Sequence, residues 1–411
     1  MTVASSVVYS QPTEQPAPKP MVSKVGFDTE RLARISARMK EFVEKGTIAG
    51  TVTLVARHGA VGSLEAVGYQ DLETNKPMRT DTIFQIRSMT KSVTAVGVMI
   101  LVEEGHLMLR DPVEKYLPEF RALSVVDTRE PQSAPVLKPA SRPITIYDLL
   151  THTSGMSPEL AEHLRAEARQ KQTLAELAAL RARMPLEFQP GTKFLYSDSG
   201  YKVLGRILEV VSGQPYEKFI EARVFKPLGM KDSSVLPPLE KFDRVASTYE
   251  LRDGKLVKSQ NYDISSVQRL KTPAPEWSMF STASDMFAFY QMMLNGGQFN
   301  GRRILSPASV EVMTMCHTSG LDSLSPHRSS GIHYGLGWNV VCAPDGTQEL
   351  RSIGSFGHGG LLNTHGWVDP QKQLVTVFLN SRAPTPEEWR TTVLRDEART
   401  FWALAAAAVI D

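Results

Sequence analysis

Ser88, Met89, Thr90 and Lys91 form an S-x-x-K run. Residues three apart share one face of a helix, so a serine in a first turn lies beside a lysine one turn on. A lysine kept from water gives up its charge more readily, and the neutral amine takes the proton of a serine hydroxyl. A helix N-terminus at the same place adds partial positive charge and free N–H groups where an oxyanion forms. Together these groups suit covalent acyl transfer. A second run, Ser199-Gly200-Tyr201-Lys202, also opens a helical pattern. There Lys202 lines up with Arg206 and Glu209, a polar stripe expected to face water, and Ser199 reads as a cap. Lys91 instead lines up with Thr94, Ala95 and Val98, and is the single charged side chain between Arg87 and Glu103. A charge in so apolar a run is costly unless it is partnered or employed. On local grounds two readings of Ser88 and Lys91 stay open: nucleophile and base, or N-cap and surface-seeking lysine. The G-x-S-x-G elbow of the α/β-hydrolases is absent at every serine.

Several elements must position this run. Asp28 caps a helix expected to reach about Lys45, with Leu32, Ile35, Met39, Phe42 and Val43 at helical spacing and Gly46 as its stop. Residues 51–61 read as a strand and turn, and Ser63–Tyr69 as a second strand, which predicts an antiparallel hairpin. TIFQIR at 82–87 is extended and leads into an apolar helix ended by Gly105. From Asp111 to about Lys271 the pattern turns helical, with helices expected at 145–151, 159–183 and 199–212. Residues 124–143, with Pro131, Pro135, Pro139 and Pro143, read as a surface insertion. Strands return at 334–341, around His358–Val368 and at 374–380, before a terminal helix from about Glu387. The expected organisation is a leader over 1–26, a discontinuous sheet domain of 27–110 and 272–411, and a mainly helical domain over 111–271. A cleft between two such lobes is a preferred place for a substrate pocket.

A chain of 411 residues is long enough for two lobes around a large core. The net charge of +2, with no run of five basic residues, gives no sign of a nucleic-acid partner. No cysteine cluster or H-E-x-x-H motif points to a metal. Cys316 and Cys342 allow one disulfide, expected not to define the fold, and suit a reducing compartment equally. In the first twenty residues Ser5, Ser6 and Ser10 interrupt the apolar stretch and no basic residue precedes it, unlike a secretory signal. Pro16, Pro18 and Pro20 favour an extended leader. No segment has the apolar length of a membrane span, and the expected location is cytoplasmic.

From about Phe27 to the terminal helix the chain resembles the serine β-lactamase superfamily, specifically the class C-like branch with its β-lactamases, D-alanyl-D-alanine carboxypeptidases and family VIII carboxylesterases. The resemblance is carried by Ser88–Lys91, LLTHTSGM at 149–156, Tyr196-Ser197-Asp198, residues 201–230, FSTASDM at 280–286, YGLGW at 334–338 and Gly357-His358-Gly359-Gly360. It implies an α+β fold: an antiparallel sheet flanked by helices, an inserted mainly helical lobe, and the site between them. It implies that Tyr196 shares a proton network with Ser88 and Lys91, either residue being the working base. The backbone N–H groups of Ser88 and Leu361 would form the oxyanion hole. Gly359 and Gly360 would let the acyl group lie close to the strand. His152 reads as a structural turn residue, and His365 as a core or surface residue, with lining the pocket as the alternative.

Two positions depart from the lactamase pattern. His358 replaces the lysine that meets a substrate carboxylate, and offers a charge only when protonated. Asp198 replaces asparagine; ionised, it cannot donate to a substrate amide, but it can pair with Lys91 and hold it cationic. Asp198, His358, Gly359 and Gly360 are thus the expected substrate-binding residues. These features imply a family VIII-type carboxylesterase acting on small-molecule esters of short to medium acyl length, with no metal or organic cofactor. The competing readings are a β-lactamase or D-amino-acid peptidase, or an acyltransferase using the same site.

Overall fold

The computed structural model describes residues 25–127, 136–262, 264, 272–325, 331–343, 350–391 and 395–411. The expected leader lies outside them except for its last two residues. Two apolar strands form the centre of the fold. Strand β1 (Gly50–Arg57) and strand β8 (Leu374–Asn380) are buried along their whole length and pair antiparallel. A strand buried on both faces must be covered on both. Val52, Leu54 and Ala56 project into one core, and Val55 into another. Around this pair the remaining strands are β2 (Ala60–Asp71), β3 (Lys76–Pro77), β4 (Ile332–Tyr334), β5 (Asn339–Val341), β6 (Phe356–Gly360) and β7 (Thr364–Asp369). The eight-stranded order is β4-β5-β6-β7-β8-β1-β2-β3, with every pair antiparallel.

Helix α1 (Thr29–Glu44) covers one face. Asp28 caps it by accepting from the Arg31 N–H, and Gly46 follows with φ of 69°. The terminal helix α7 (Asp396–Ala407) packs beside α1, and Ile35, Met39, Phe42, Phe401 and Trp402 share a core with Trp367 and Phe378 of the sheet. The other face carries α2 (Thr90–Glu103) and α6 (Ala283–Leu294). Helix α2 is buried on all sides, as an all-apolar helix requires. Two of its buried hydroxyls are met by backbone: Thr94 Oγ1 donates to the Pro275 carbonyl at 2.6 Å, and Ser92 Oγ to the Gly337 carbonyl at 2.7 Å.

The structure revises several expected boundaries. The helical stretch 159–183 is two helices, Glu162–Ala168 and α4 (Leu174–Ala182), with Thr173 capping the second. Residues 334–341 are the end of β4, a turn with Gly337 at φ 86°, and β5. The stretch around His358–Val368 is likewise two strands. In the expected surface insertion, Ser124–Asp127 and Val136–Pro139 pair antiparallel, and residues 128–135 lie outside the described part. Helix α3 (Ile146–Leu150) and helix α5 (Asp198–Ser212) stand close to expectation. Among the described residues no helix is long and apolar enough to cross a membrane.

Candidate active site

Ser88 lies in a short 3-10 turn, Arg87–Met89, that runs into α2. Arg87 takes a left-handed backbone with φ of 50°, an unfavourable conformation for a side chain with a Cβ. Such strain persists where surrounding contacts over-determine it. Here Thr364 Oγ1 donates to the Ile86 carbonyl at 3.1 Å, tying the turn to β7. Lys91 follows one turn later, fully buried, with Nζ 3.2 Å from Ser88 Oγ. The spacing argument for the first S-x-x-K run therefore holds in three dimensions.

Three acceptors surround the Lys91 nitrogen. Besides Ser88 Oγ, these are Asp198 Oδ1 at 2.7 Å and the Glu276 carbonyl at 3.0 Å. The Tyr196 ring lies 4.8 Å from Nζ, which brings its hydroxyl within electrostatic reach of Lys91. Burial alone would push the Lys91 pKa down, but Asp198 and Tyr196 outweigh it and the net direction is up. Burial alone would raise Asp198; the Lys91, Lys202 and Arg87 charges overcome it and hold the carboxyl below its ordinary range. Tyr196 is pushed up by burial, only partly offset by Lys91. The resting site thus holds an ammonium, a carboxylate and two neutral hydroxyls.

Tyr196 is placed by the loop before α5. Ser197 caps that helix by accepting from the Ser199 N–H, while the Tyr196 N–H donates to Ser325 Oγ at 2.8 Å. His152, in a left-handed turn with φ of 58°, accepts from the Ser197 N–H through Nδ1 and packs its ring 4.5 Å from that of Tyr196. It is the turn residue expected, and it positions the tyrosine. The second S-x-x-K run needs correction in detail. Ser197, not Ser199, is the cap; Ser199 is buried and donates to the Ser157 carbonyl at 2.5 Å. Lys202 is not a water-facing lysine, since it forms an ion pair with buried Glu276.

On the sheet side, His358 is 2% exposed. Its Nδ1 donates to the Gly359 carbonyl at 2.8 Å and its Nε2 accepts from the Tyr334 hydroxyl at 3.0 Å. Burial, then Lys91, lowers its pKa to about 3. The ring is therefore a neutral part of the wall, not a group that turns cationic toward a substrate. The two glycines are required by packing. A Cβ at Gly359 would stand 2.6 Å from His365 Nδ1, on the α1 and α7 side. A Cβ at Gly360 would stand 2.4 Å from the Ile86 carbonyl oxygen, beside the Arg87–Met89 turn. Leu361 follows in the turn after β6, its carbonyl accepting from Arg395 at 2.7 Å. His365 is buried core, with Nε2 3.2 Å from Asn363 Oδ1.

Sequence reasoning missed Glu276 and Arg87. Glu276 serves Lys91 through its backbone carbonyl, which any residue type supplies, so no side-chain pattern marks it. Arg87 carried one signal, a charge directly before Ser88. Its guanidinium lies 4.4 Å over the Trp277 ring and 5.3 Å over that of Tyr262. Among the described residues no group of three or more His, Cys, Asp or Glu side chains is placed to hold a metal ion.

Comparison with known proteins agrees with this geometry. The family model described as "Beta-lactamase" matches residues 35–399. The chain is 32% identical over 368 residues to "Protein Rv1367c" of Mycobacterium tuberculosis (strain ATCC 25618 / H37Rv), covering 85% of this chain and 89% of that protein. It is 26% identical over 389 residues to a "Putative D-alanyl-D-alanine carboxypeptidase" of Escherichia coli (strain K12), covering 88% and 85%. Among solved structures, EstCE1, titled a hydrolase with promiscuous acyltransferase activity, superposes with a TM-score of 0.74 at 23% identity, covering 91% of this chain and 99% of that one. Simvastatin synthase from Aspergillus terreus gives 0.74 at 22% identity, covering 92% and 99%. The last two likenesses are likenesses of fold.

Proposed function

The chain belongs to the β-lactamase family of serine hydrolases, and on that premise we propose that it is a carboxylic ester hydrolase of the family VIII type. The observation that carries the ester reading is His358: a buried, neutral ring stands where β-lactam and peptide hydrolases present a lysine ammonium to the substrate carboxylate. A charge-assisted bond of that kind contributes roughly 1.5–3 kcal/mol, which this strand does not offer. An ester without a carboxylate at that point loses nothing.

Ser88 Oγ attacks the ester carbonyl while its proton passes to Tyr196 or Lys91. The oxyanion rests on the backbone N–H groups of Ser88 and Leu361. The alcohol leaves with the transferred proton, and water repeats the cycle on the acyl-enzyme. Because the resting site holds Tyr196 and Lys91 both protonated, the working form carries one proton fewer. The preferred acyl groups are short to medium.

The test compares initial rates on p-nitrophenyl esters of graded acyl length with rates on nitrocefin and a D-Ala-D-Ala peptide, alongside labelling by a fluorophosphonate. Ser88→Ala abolishes ester turnover and labelling, while Ser199→Ala keeps labelling. A wild-type kcat/KM on nitrocefin equal to that on the best ester sinks the ester reading, and a label found on Ser199 sinks the site.

A further inference from the structure

Four cations and two carboxylates gather behind the nucleophile. The carboxylates are both taken: Asp198 by Lys91 and Glu276 by Lys202. Arg87 and Arg181 are left over. Among the described residues neither has a carboxylate within ion-pair distance. Arg87 Nε and Arg181 Nη1 are buried polar atoms without a hydrogen-bond partner. Arg87 reaches Gln85 Oε1 only at 3.5 Å, too far for a strong bond.

Both guanidinium groups are near the two carboxylates of the site. Arg87 precedes Ser88, and its Cβ would stand 3.1 Å from a Cβ placed on Gly360. Its guanidinium is held over Trp277 and Tyr262. Arg181 is near the end of α4, which packs against α5, the helix that Asp198 opens. Each guanidinium lies within electrostatic reach of both Asp198 and Glu276. A partly buried charge without a counter-ion is unfavourable, and guanidinium presents paired donors suited to a carboxylate.

We infer that Arg87 and Arg181 form an anion subsite, and that the preferred esters carry a carboxylate on the acyl chain, as in half-esters of short dicarboxylic acids. This rests on the ester-hydrolase reading above. It also locates the charge that the strand lacks: the cation is supplied from the nucleophile turn and α4, not from β6. The substrate carboxylate therefore lies away from His358.

The experiment pairs p-nitrophenyl hydrogen glutarate with the neutral p-nitrophenyl pentanoate. Wild-type enzyme prefers the half-ester in kcat/KM, and the preference shrinks as ionic strength rises. Arg181→Gln lowers kcat/KM on the half-ester on the order of 10- to 100-fold and on the pentanoate by less than about threefold. Arg87→Gln, in the turn that carries Ser88, lowers turnover of both esters but that of the half-ester more, and Arg87→Lys recovers part of the half-ester loss. Free glutarate is the turnover-independent probe: it binds wild-type protein by calorimetry, protects Ser88 from the fluorophosphonate, and binds Arg181→Gln more weakly. Equal wild-type rates on the two esters, or an Arg181→Gln loss shared equally by both, overturns the subsite. Failure of the fluorophosphonate to label Ser88 overturns the hydrolase reading instead, while glutarate binding still decides the arginines.

Discussion

Asp198 stands one hydrogen bond from Lys91, and the proton inventory of the site turns on it. Its carboxylate opposes the burial that would otherwise strip the ammonium, and it also helps raise Tyr196. Both effects keep a proton that the reaction must remove. The kcat/KM for p-nitrophenyl butyrate should therefore climb from neutral toward alkaline pH. In Asp198→Asn burial dominates at Lys91, and Tyr196 loses a neighbouring negative charge. Both pKa values fall, so the alkaline climb should move down by about one to three pH units. An unmoved profile would show that Asp198 does not control the catalytic proton. No limb between pH 5 and 7 belongs to His358, whose pKa lies near 3. Part of this was legible beforehand: spacing and the apolar run around the lysine singled out Ser88 and Lys91, while the cap-and-surface reading stayed open until the family resemblance was added. Tyr196 was visible only through family resemblance, because a tyrosine in an aromatic segment looks like core. Glu276 and Arg181 were not legible, since loop and helix packing, not a local pattern, brings them to the site.

At the scale of elements, the β6–β7 hairpin and the Arg87–Met89 turn are one assembly. Gly359 pairs with His365 on one sheet face, while Gly360 abuts the Ile86 carbonyl on the other. Neighbouring glycines thus have different duties, and substitution should separate them. Gly359→Ala forces the new methyl into His365 and should cost about 1–3 kcal/mol of stability by overpacking, with kcat of the folded protein little changed. Denaturant melts of Gly359→Ala with and without His365→Ala should show strong non-additivity. Gly360→Ala pushes the strand from the turn that carries Ser88 and should lower kcat about 100-fold, since displacements near 1 Å have that effect. Equal stability losses and equal kcat in the two variants would remove this distinction. The strands at 374–380 were plain in the sequence because a run of seven buried residues has one reading. The 334–341 segment was not, since Gly335 and Gly337 look like strand weakeners until a turn with positive φ is seen.

Across the whole molecule, one hydrophobic cluster runs from β1 through α2 and α5 to α6 and β8. Chain ends more than three hundred residues apart meet in the central β1–β8 pair. Nothing in short-range periodicity announces such a pairing; it emerges because each strand is too apolar to face water on either side. A core of this extent bears on the disulfide. Cys316 and Cys342 are bonded, with Cα atoms 6.0 Å apart, at the rim beside β5. They close a separation of 26 residues, for which chain entropy assigns about 3.5 kcal/mol. That is substantial, yet of the two cysteines only Cys342 touches the cluster around α2, and only from its partly buried edge. Reduction should therefore shift the urea midpoint downward while ester turnover at 25 °C stays within about twofold of the oxidised protein. The comparison is made on one preparation before and after a mild reductant, with Cys316→Ser/Cys342→Ser as the permanently open form. Loss of turnover in parallel with reduction, before any loss of far-UV circular dichroism, would mean that the rim holds the site in shape and that the core does not suffice.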